Sequence, residues 1–349
     1  MRPRLAGLTL RGFRTIRDLS GFEPRSLTIF IGPNGAGKSN FISFFRLLSW
    51  ALVPPGQLQE FVARQGGASA ILHQGTPPAA EMEATLRLTT EPGANEYHVR
   101  LVRAAGDTLV FAEEAFRFRR PEHGDRPAPG LGSGHKEAQL ILKADEGNQT
   151  AKMILGMLRR IIVHQFHDTS PTARIRGKWD VEDGRRLKED AGNLGAFLYR
   201  LQSAEPDYYR RIVETLRLVL PFFTNFELEP EYGRVLLRWR EHGTDRIFNA
   251  SQAADGMLRA IALVALLLQP ERDLPDVLVL DEPELGLHPY AIEVLAGLLK
   301  GVATHVQVMV ATQSVSLIDR FEPEDIVVVN ARPRNPPFIV SVPMSSPTG

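Results

Sequence analysis

The sequence predicts an α/β protein whose core sheet is assembled from the two ends of the chain. Strand-length apolar runs alternate with helix-patterned segments at both ends, and a mixed insert separates those ends. At 349 residues and 43% hydrophobic, the chain can bury a sizeable core without a metal or disulfide staple. With 41 basic against 41 acidic residues it carries no uniformly basic coat for nucleic acid, although a local patch stays open. The absence of cysteine removes thiol catalysis and thiolate metal sites, and it fits a reducing cytosol. No apolar run approaches the ~18 residues of a membrane span. Met1 to Arg14 mixes charge and apolar residues too finely for a signal peptide. The expectation is a cytoplasmic protein with no membrane partner.

Taken in order, Leu5 to Leu10 reads as a strand, Gly12-Phe13-Arg14 as a turn, and Ser26 to Ile31 as a short buried strand. Lys38 to Ala51 predicts a mostly buried helix that Pro54-Pro55-Gly56 ends. Glu83–Thr89, Glu96–Arg103 and Thr108–Phe118 predict antiparallel strands, because Pro-Gly and Ala-Gly-Asp turns separate them. Residues 121–136 are rich in Gly and Pro and read as a loop. Helices are expected over Ala151–Arg160, Leu194–Leu201 and Tyr208–Leu220, then strands over Phe226–Pro230 and Val235–Arg240. Met257–Leu268 is an apolar helix, Val277–Leu280 a buried strand, Pro289–Leu299 a helix, and Val306–Ala311 and Ile326–Val329 the closing strands. Arg332 to Gly349 reads as a loose tail.

Four motifs carry chemistry. Gly32-Pro33-Asn34-Gly35-Ala36-Gly37-Lys38-Ser39 fits the phosphate-binding loop at every fixed position and lies between a predicted strand and a predicted helix. Its glycines let backbone amides wrap phosphates at a helix N-terminus, Lys38 reaches the β- and γ-phosphates, and Ser39 ligates Mg²⁺. Val277 to Leu280 ends in Asp281-Glu282, which places a Mg²⁺ carboxylate beside a general base; its bland reading is a solvated strand end. Ala253 to Arg259 opens a helix with a small-residue turn, either a second anion site or an ordinary cap by Asp255. Thr312-Gln313-Ser314 ends a strand from which Gln313 could approach a γ-phosphate.

These motifs resemble the RecF/SMC-like branch of ABC-type ATPases, often described as AAA-family ATPases of bacteria. The likeness rests on Gly12-Phe13-Arg14, on Gly32 to Ser39 followed by Asn40, and on Asp255-Gly256. It rests also on Asp281-Glu282-Pro283-Glu284 with Leu287-His288-Pro289, and on Thr312-Gln313-Ser314. It implies an ABC-type P-loop ATPase head with a mainly parallel core sheet, an antiparallel β subdomain and a mixed helical insert. One composite head would occupy 1–349: a P-loop and antiparallel part (1–119), a helical insert (120–250), a signature and acidic-motif part (251–331) and a tail (332–349).

By that resemblance Asn34, Gly35, Ala36, Gly37, Lys38, Ser39, Asn40 and Arg14 bind nucleotide. Glu282, Lys38 and Gln313 are catalytic, and Ser39, Asp281 and Gln165 hold Mg²⁺. Ala254, Asp255, Gly256 and Met257 form the signature, presented to ATP bound by a second copy. The implied activity is ATP hydrolysis with ATP and Mg²⁺ by heads that associate as a homodimer, in DNA maintenance or bacterial defence, with DNA or an effector protein as partner. The alternative is a nucleotide-dependent dimerisation switch with little turnover. Two departures bear on the rate: Ala254 stands where a Ser is usual, and Gln313 where a His is frequent.

Other clusters stay open. His164, Gln165, His167 and Asp168 suit either a loop near nucleotide, with Gln74 as a rival to Gln165, or a small metal site. Arg174, Arg176, Lys178, Arg185, Arg186 and Lys188 are interleaved with acids and read as a solvated face rather than a DNA contact. Arg117, Arg119 and Arg120 are less diluted, and His288 is expected to fix the turn after the acidic motif.

Overall fold

The computed structural model describes residues 2–33, 35–53, 57–73, 80–91, 93–119, 130–332 and 335–341, with 330–332 and 335–341 described by backbone alone. Pro54-Pro55-Gly56, Gln74, Arg120 and Asn34 therefore lie outside the described residues. The chain divides into two compact units, residues 1–163 with 275–279 and 323–349, and residues 164–274 with 280–322.

In chain order the elements begin with strands β1 (Arg4–Phe13), β2 (Ile16–Phe22) and β3 (Leu27–Ile31). Helices α1 (Lys38–Ala51), α2 (Gln57–Arg64) and α3 (Ala68–Ile71) precede β4 (Glu81–Thr90), β5 (Gly93–Ala104) and β6 (Thr108–Arg119). Then come α4 (Gln139–Asp145), α5 (Gln149–Leu158), β7 (Ile161–His164), β8 (Trp179–Asp180), α6 (Leu194–Ala204) and α7 (Pro206–Val219). Short strands β9 (Phe223–Phe226), β10 (Arg234–Val235), β11 (Arg238–Glu241) and β12 (Ile247–Asn249) lead to α8 (Asp255–Leu267). The chain closes with β13 (Val277–Asp281), α9 (Pro289–Ala303), β14 (Gln307–Thr312), α10 (Val315–Ile318), β15 (Ile326–Arg332) and β16 (Asn335–Ser341).

The first unit holds an antiparallel sheet of order β2-β1-β4-β5-β6. Its inward positions on β4 alternate cleanly (Met82, Ala84, Leu86 and Leu88 buried), as a half-buried strand requires. Gly12-Phe13-Arg14 is a strand end and tight hairpin rather than a free turn, with Phe13 paired to Ile16. Gly12 adopts φ +68°, and a Cβ there would come 2.0 Å from the Glu81 carbonyl oxygen, so only glycine fits. Phe13 is fully buried and meets Phe44 of α1 edge-on at 6.0 Å. On the same helix Phe41 packs against Phe30 of β3, the rings tilted at 46° with centroids 4.6 Å apart. That aromatic cluster fixes the helix that begins at Lys38. β15 lies parallel to β3, and β16 runs antiparallel outside β15.

Three expectations need correction here. Of the segment expected as a loose tail, Asn335–Ser341 form β16, because Phe338-Ile339-Val340 is a strand-forming run and an edge position tolerates Pro336 and Pro337. Residues 342–349 lie outside the described residues. β2 escaped notice because an edge strand buries only one face, here Ile16 and Leu19 among exposed polar residues. Arg117 and Arg119 do not form an unopposed basic patch: Glu96 pairs with Arg117 at 2.6 Å and with Arg119 at 3.4 Å.

In the second unit α8 is buried almost all round and packs between α7 and α9. The small sheets β10-β8 and β12-β11-β9 complete it. The strand expected over Phe226–Pro230 is shifted back to Phe223–Phe226, where Phe223 and Phe226 both point inward. In the 174–190 segment Arg174 pairs with Asp190 (2.8 Å) and Lys188 with Asp183 (3.1 Å), as on a mixed-charge face. Lys178, however, pairs with Glu231 (2.7 Å) and the largely buried Arg176 with Asp255 (3.0 Å), so Arg176 corrects the expectation of a solvated face.

Candidate functional site

The phosphate loop leaves β3 and enters α1 in the first unit. Gly32 is obligatory, since a Cβ would sit 2.2 Å from the Val329 carbonyl oxygen of β15. Gly35 (φ +79°) and Gly37 (φ +107°) adopt left-handed backbone, which turns successive amides toward one side. The N-cap residue Gly37 contributes no side-chain cap to α1, and a helix N-terminus is a favourable place for an anion. The buried Lys38 folds back so that Nζ donates to the carbonyls of Gly32 and Pro33, the latter at 3.1 Å. A lysine head held by its own loop carbonyls at a helix N-terminus is chemically suited to a phosphate chain. Ser39 is exposed, as a hydroxyl ligand to a bound cation must be. Asn40 Nδ2 donates to Thr15 Oγ1 at 2.7 Å, tying the loop to the β1–β2 hairpin. Arg14, at φ +48° in that hairpin, is half-buried and donates to Gln65 Oε1. Burial first, and then the nearby Arg46, lower its guanidinium pKa.

The second unit assembles the other candidates. Asp281 is buried at the end of β13. Gln165 Nε2 donates to its Oδ2 at 3.1 Å and to His167 Nδ1 at 2.9 Å, while His167 Nε2 donates to the Asp281 carbonyl at 3.0 Å. These bonds are mutually consistent only for the neutral Nε2–H tautomer of His167. The Gln165 amide nitrogen is thus occupied, which leaves its carbonyl oxygen as the atom suited to a cation.

Glu282 follows at φ +43°, a left-handed conformation unusual for a non-glycine residue. Its amide donates to Ala311 O of β14 at 2.8 Å, and its Oε1 accepts from Gln313 Nε2. Glu284, to which the sequence assigns no role, is buried and accepts from Thr312 Oγ1. Burial raises its carboxyl pKa, with a smaller contribution from the neighbouring Glu282 charge. The acidic turn is therefore clasped by two consecutive residues at the end of β14, Thr312 and Gln313. Its spacing in Asp281-Glu282-Pro283-Glu284 was the available signal.

The turn expected to act as a signature, Ala254 to Met257, lies in the same unit. Ala254 occupies the N-cap position of α8 with no side-chain cap, so Asp255 is the first helical residue rather than a capping one. Met257 and Leu258 amides both donate to Ala254 O (3.1 and 3.2 Å), so the Asp255 and Gly256 amides are the donors without an intrahelical acceptor. A Cβ on Gly256 would meet Gly286 O at 2.3 Å. Arg259 fastens this helix to the 165–169 segment, with Nε to Phe166 O (3.1 Å) and Nη2 to His167 O (3.0 Å).

The open metal reading of His164, His167 and Asp168 is corrected. His164 is buried, and desolvation pushes its imidazole down to about 4. His167 turns to Asp281, and Asp168 accepts from Ser170 Oγ at 2.7 Å. Among the described residues no cluster of three or more His, Asp or Glu is placed to hold a metal ion. His288 does fix its turn: Nδ1 accepts from Ala291 N (3.3 Å) and Nε2 donates to Val219 O (2.8 Å).

A phosphate loop between a strand of the parallel sheet and a helix, and an Asp-Glu strand end, belong to a fold of the SMC-head, ABC-type P-loop class. The chain belongs to the family described as "AAA domain, putative AbiEii toxin, Type IV TA system", whose model matches residues 27–319. A relative is the chromosome partition protein Smc of Rhodopirellula baltica, 29% identical over 203 residues. That match covers 54% of this chain and only 16% of the length of Smc. Among solved structures, the fold is similar to an Smc head bound to the C-winged helix domain of ScpA (TM-score 0.60, 16% identity, 94% of each chain). It is similar also to an Smc head with an extended coiled coil bound to the C-terminal domain of ScpA derived from Pyrococcus furiosus. There the TM-score is 0.58 at 14% identity, covering 95% of this chain and 94% of the other. Among the described residues no helix is long and apolar enough to cross a membrane.

Proposed function

We propose that this chain is an ATP-hydrolysing head that associates with a second copy around ATP. The observation that carries the reading is Glu282: a carboxylate beside a buried Asp, fixed in strained backbone and met by the Gln313 amide. In this reading the amides of Gly35 to Asn40 and the Lys38 ammonium bind the phosphates, and Arg14 lies near the nucleotide. Ser39, Asp281 and Gln165 would hold Mg²⁺, and the ion would supply charge neutralisation on the phosphate oxygens. Glu282 accepts the proton of the attacking water, and Gln313 orients that water and the base. Ala254 to Met257 meet the γ-phosphate held by the partner copy. The Smc relative and the toxin–antitoxin wording of the family support a role in DNA maintenance or bacterial defence, with DNA or an effector protein as partner.

A second reading, a dimerisation switch with little turnover, is favoured by Ala254, which offers no hydroxyl to the γ-phosphate. Steady-state phosphate release across a protein dilution series, with oligomeric state followed by light scattering, separates the two. Glu282→Gln should slow turnover by ~10²–10⁴-fold, the loss typical of a general base, and should trap an ATP-bound dimer. Lys38→Ala should abolish both association and nucleotide binding. A wild-type rate indistinguishable from Glu282→Gln would leave the switch reading standing.

A further inference from the structure

The signature turn carries a charge of the wrong sign for its proposed task. Asp255 is the first residue of α8, so its carboxylate stands beside the open Asp255 and Gly256 amides that would receive a phosphate. A bare carboxylate there would repel the incoming anion and compete for those donors.

Arg176 answers that charge. Its Nη2 donates to Asp255 Oδ1 at 3.0 Å, its Nη1 to the carbonyls of Ala250 and Ala253 (3.1 Å to Ala253), and its Nε to Thr169 O at 2.9 Å. The Arg176 side chain is 10% exposed, against 61% for that of Asp255. Four of the five N–H bonds of Arg176 are engaged within the chain, so it is held in place and cannot swing out as a finger onto a phosphate. The contacts also set the turn itself, because Ala250 and Ala253 flank the short helical turn that leads into Ala254.

We propose that Arg176 is a positioning residue for the signature turn: it neutralises Asp255 and fixes the approach to Ala254, so that an acidic turn accepts the γ-phosphate of ATP bound by a second copy. The inference rests on the two-head reading above. Arg176 touches no nucleotide in this scheme; it acts through Asp255. Its bond to Thr169 O also joins the turn to the segment that starts at Gln165, so the cation-side residue and the signature share one brace.

The test is a charge-rescue cycle with MgATP on the full chain. Arg176→Ala should lower turnover about tenfold at fixed protein concentration, the scale of an uncompensated like charge at an interface, and weaken ATP-dependent association in parallel. Binding of ATP to the dilute head should stay unchanged. Adding Asp255→Asn to Arg176→Ala should recover most of the loss, since the repelling charge is gone although the carbonyl contacts are still missing. Arg176→Gln, which keeps a donor toward the carbonyls, should show the same loss and the same rescue, and it serves if the alanine variant does not fold. Wild-type behaviour in both single variants, or no rescue by Asp255→Asn in either background, would overturn the inference. A wild-type rate per head that is independent of concentration would instead overturn the two-head reading, and the inference with it.

Discussion

Glu282 shows how a single residue stores the demands of its site. A left-handed non-glycine residue costs on the order of 1–3 kcal/mol, and it persists here because its amide is bound by Ala311 and its carboxylate by Gln313. Nothing in the residue type foretells that strain. Nearby, His164 Nδ1 is buried without a hydrogen-bond partner, and the ring stays neutral far below its ordinary range. Its folded pKa of about 4 lies below the unfolded value of 6.5, so the unfolded chain binds the extra proton first. Stability from this residue is complete above pH 6.5 and is lost as pH falls toward 4. The loss is about 3 kcal/mol at most by linkage. Urea unfolding of nucleotide-free protein should show this acid limb, and His164→Phe should flatten it; an unchanged pH slope would place the titration elsewhere.

At the scale of elements, the two backbones at Gly256 and Gly286 meet so closely that a side chain has no room. A Cβ on Gly256 would lie 2.3 Å from Gly286 O, and Arg259 reaches Leu285 O from the same helix at 3.3 Å. Gly256→Ala should therefore force apart the α8 start and the turn after Glu284. The expected cost is a few kcal/mol of stability, roughly 1–3 by analogy with overpacked cores, with turnover falling more steeply than ATP binding. A variant as stable and active as wild type would show that the turn relaxes freely.

Such elements also explain what was legible in the sequence. The strand before Gly32, the helix after it and the apolar α8 could be read because period and punctuation agree. The phosphate loop and Asp281-Glu282 could be read because their chemistry is local in sequence. What could not be read depends on distant partners: Arg176 lies 79 residues from Asp255, and its neighbours in sequence disguise it as one charge on a solvated face. β16 and β2 were hidden for a related reason, since edge strands need a neighbour to define them.

For the molecule as a whole, the question is whether a head with Ala254 in its signature turn is slow by construction. The Asp255 and Gly256 amides alone would meet the γ-phosphate of the partner copy, because the Met257 amide already donates to Ala254 O. Ala254→Ser would add a hydroxyl at the N-cap, and that hydroxyl has two competing uses. It can cap α8 by accepting from the Gly256 amide, worth roughly 0.5–2 kcal/mol of stability to the isolated head. It can instead donate to phosphate oxygens as they gain charge, where a preorganised donor is worth ~3 kcal/mol in a dry site. Capping alone raises melting temperature at every protein concentration and leaves turnover unchanged. Donation in trans raises turnover only where copies associate, so the gain must vanish on dilution. We expect turnover to rise, by less than the full value of a new donor because two amides already serve those oxygens. Phosphate release and thermal unfolding, both measured across a dilution series, give the answer. A melting-temperature gain with unchanged turnover at all concentrations would mean that this turn never meets nucleotide and serves only to start a helix.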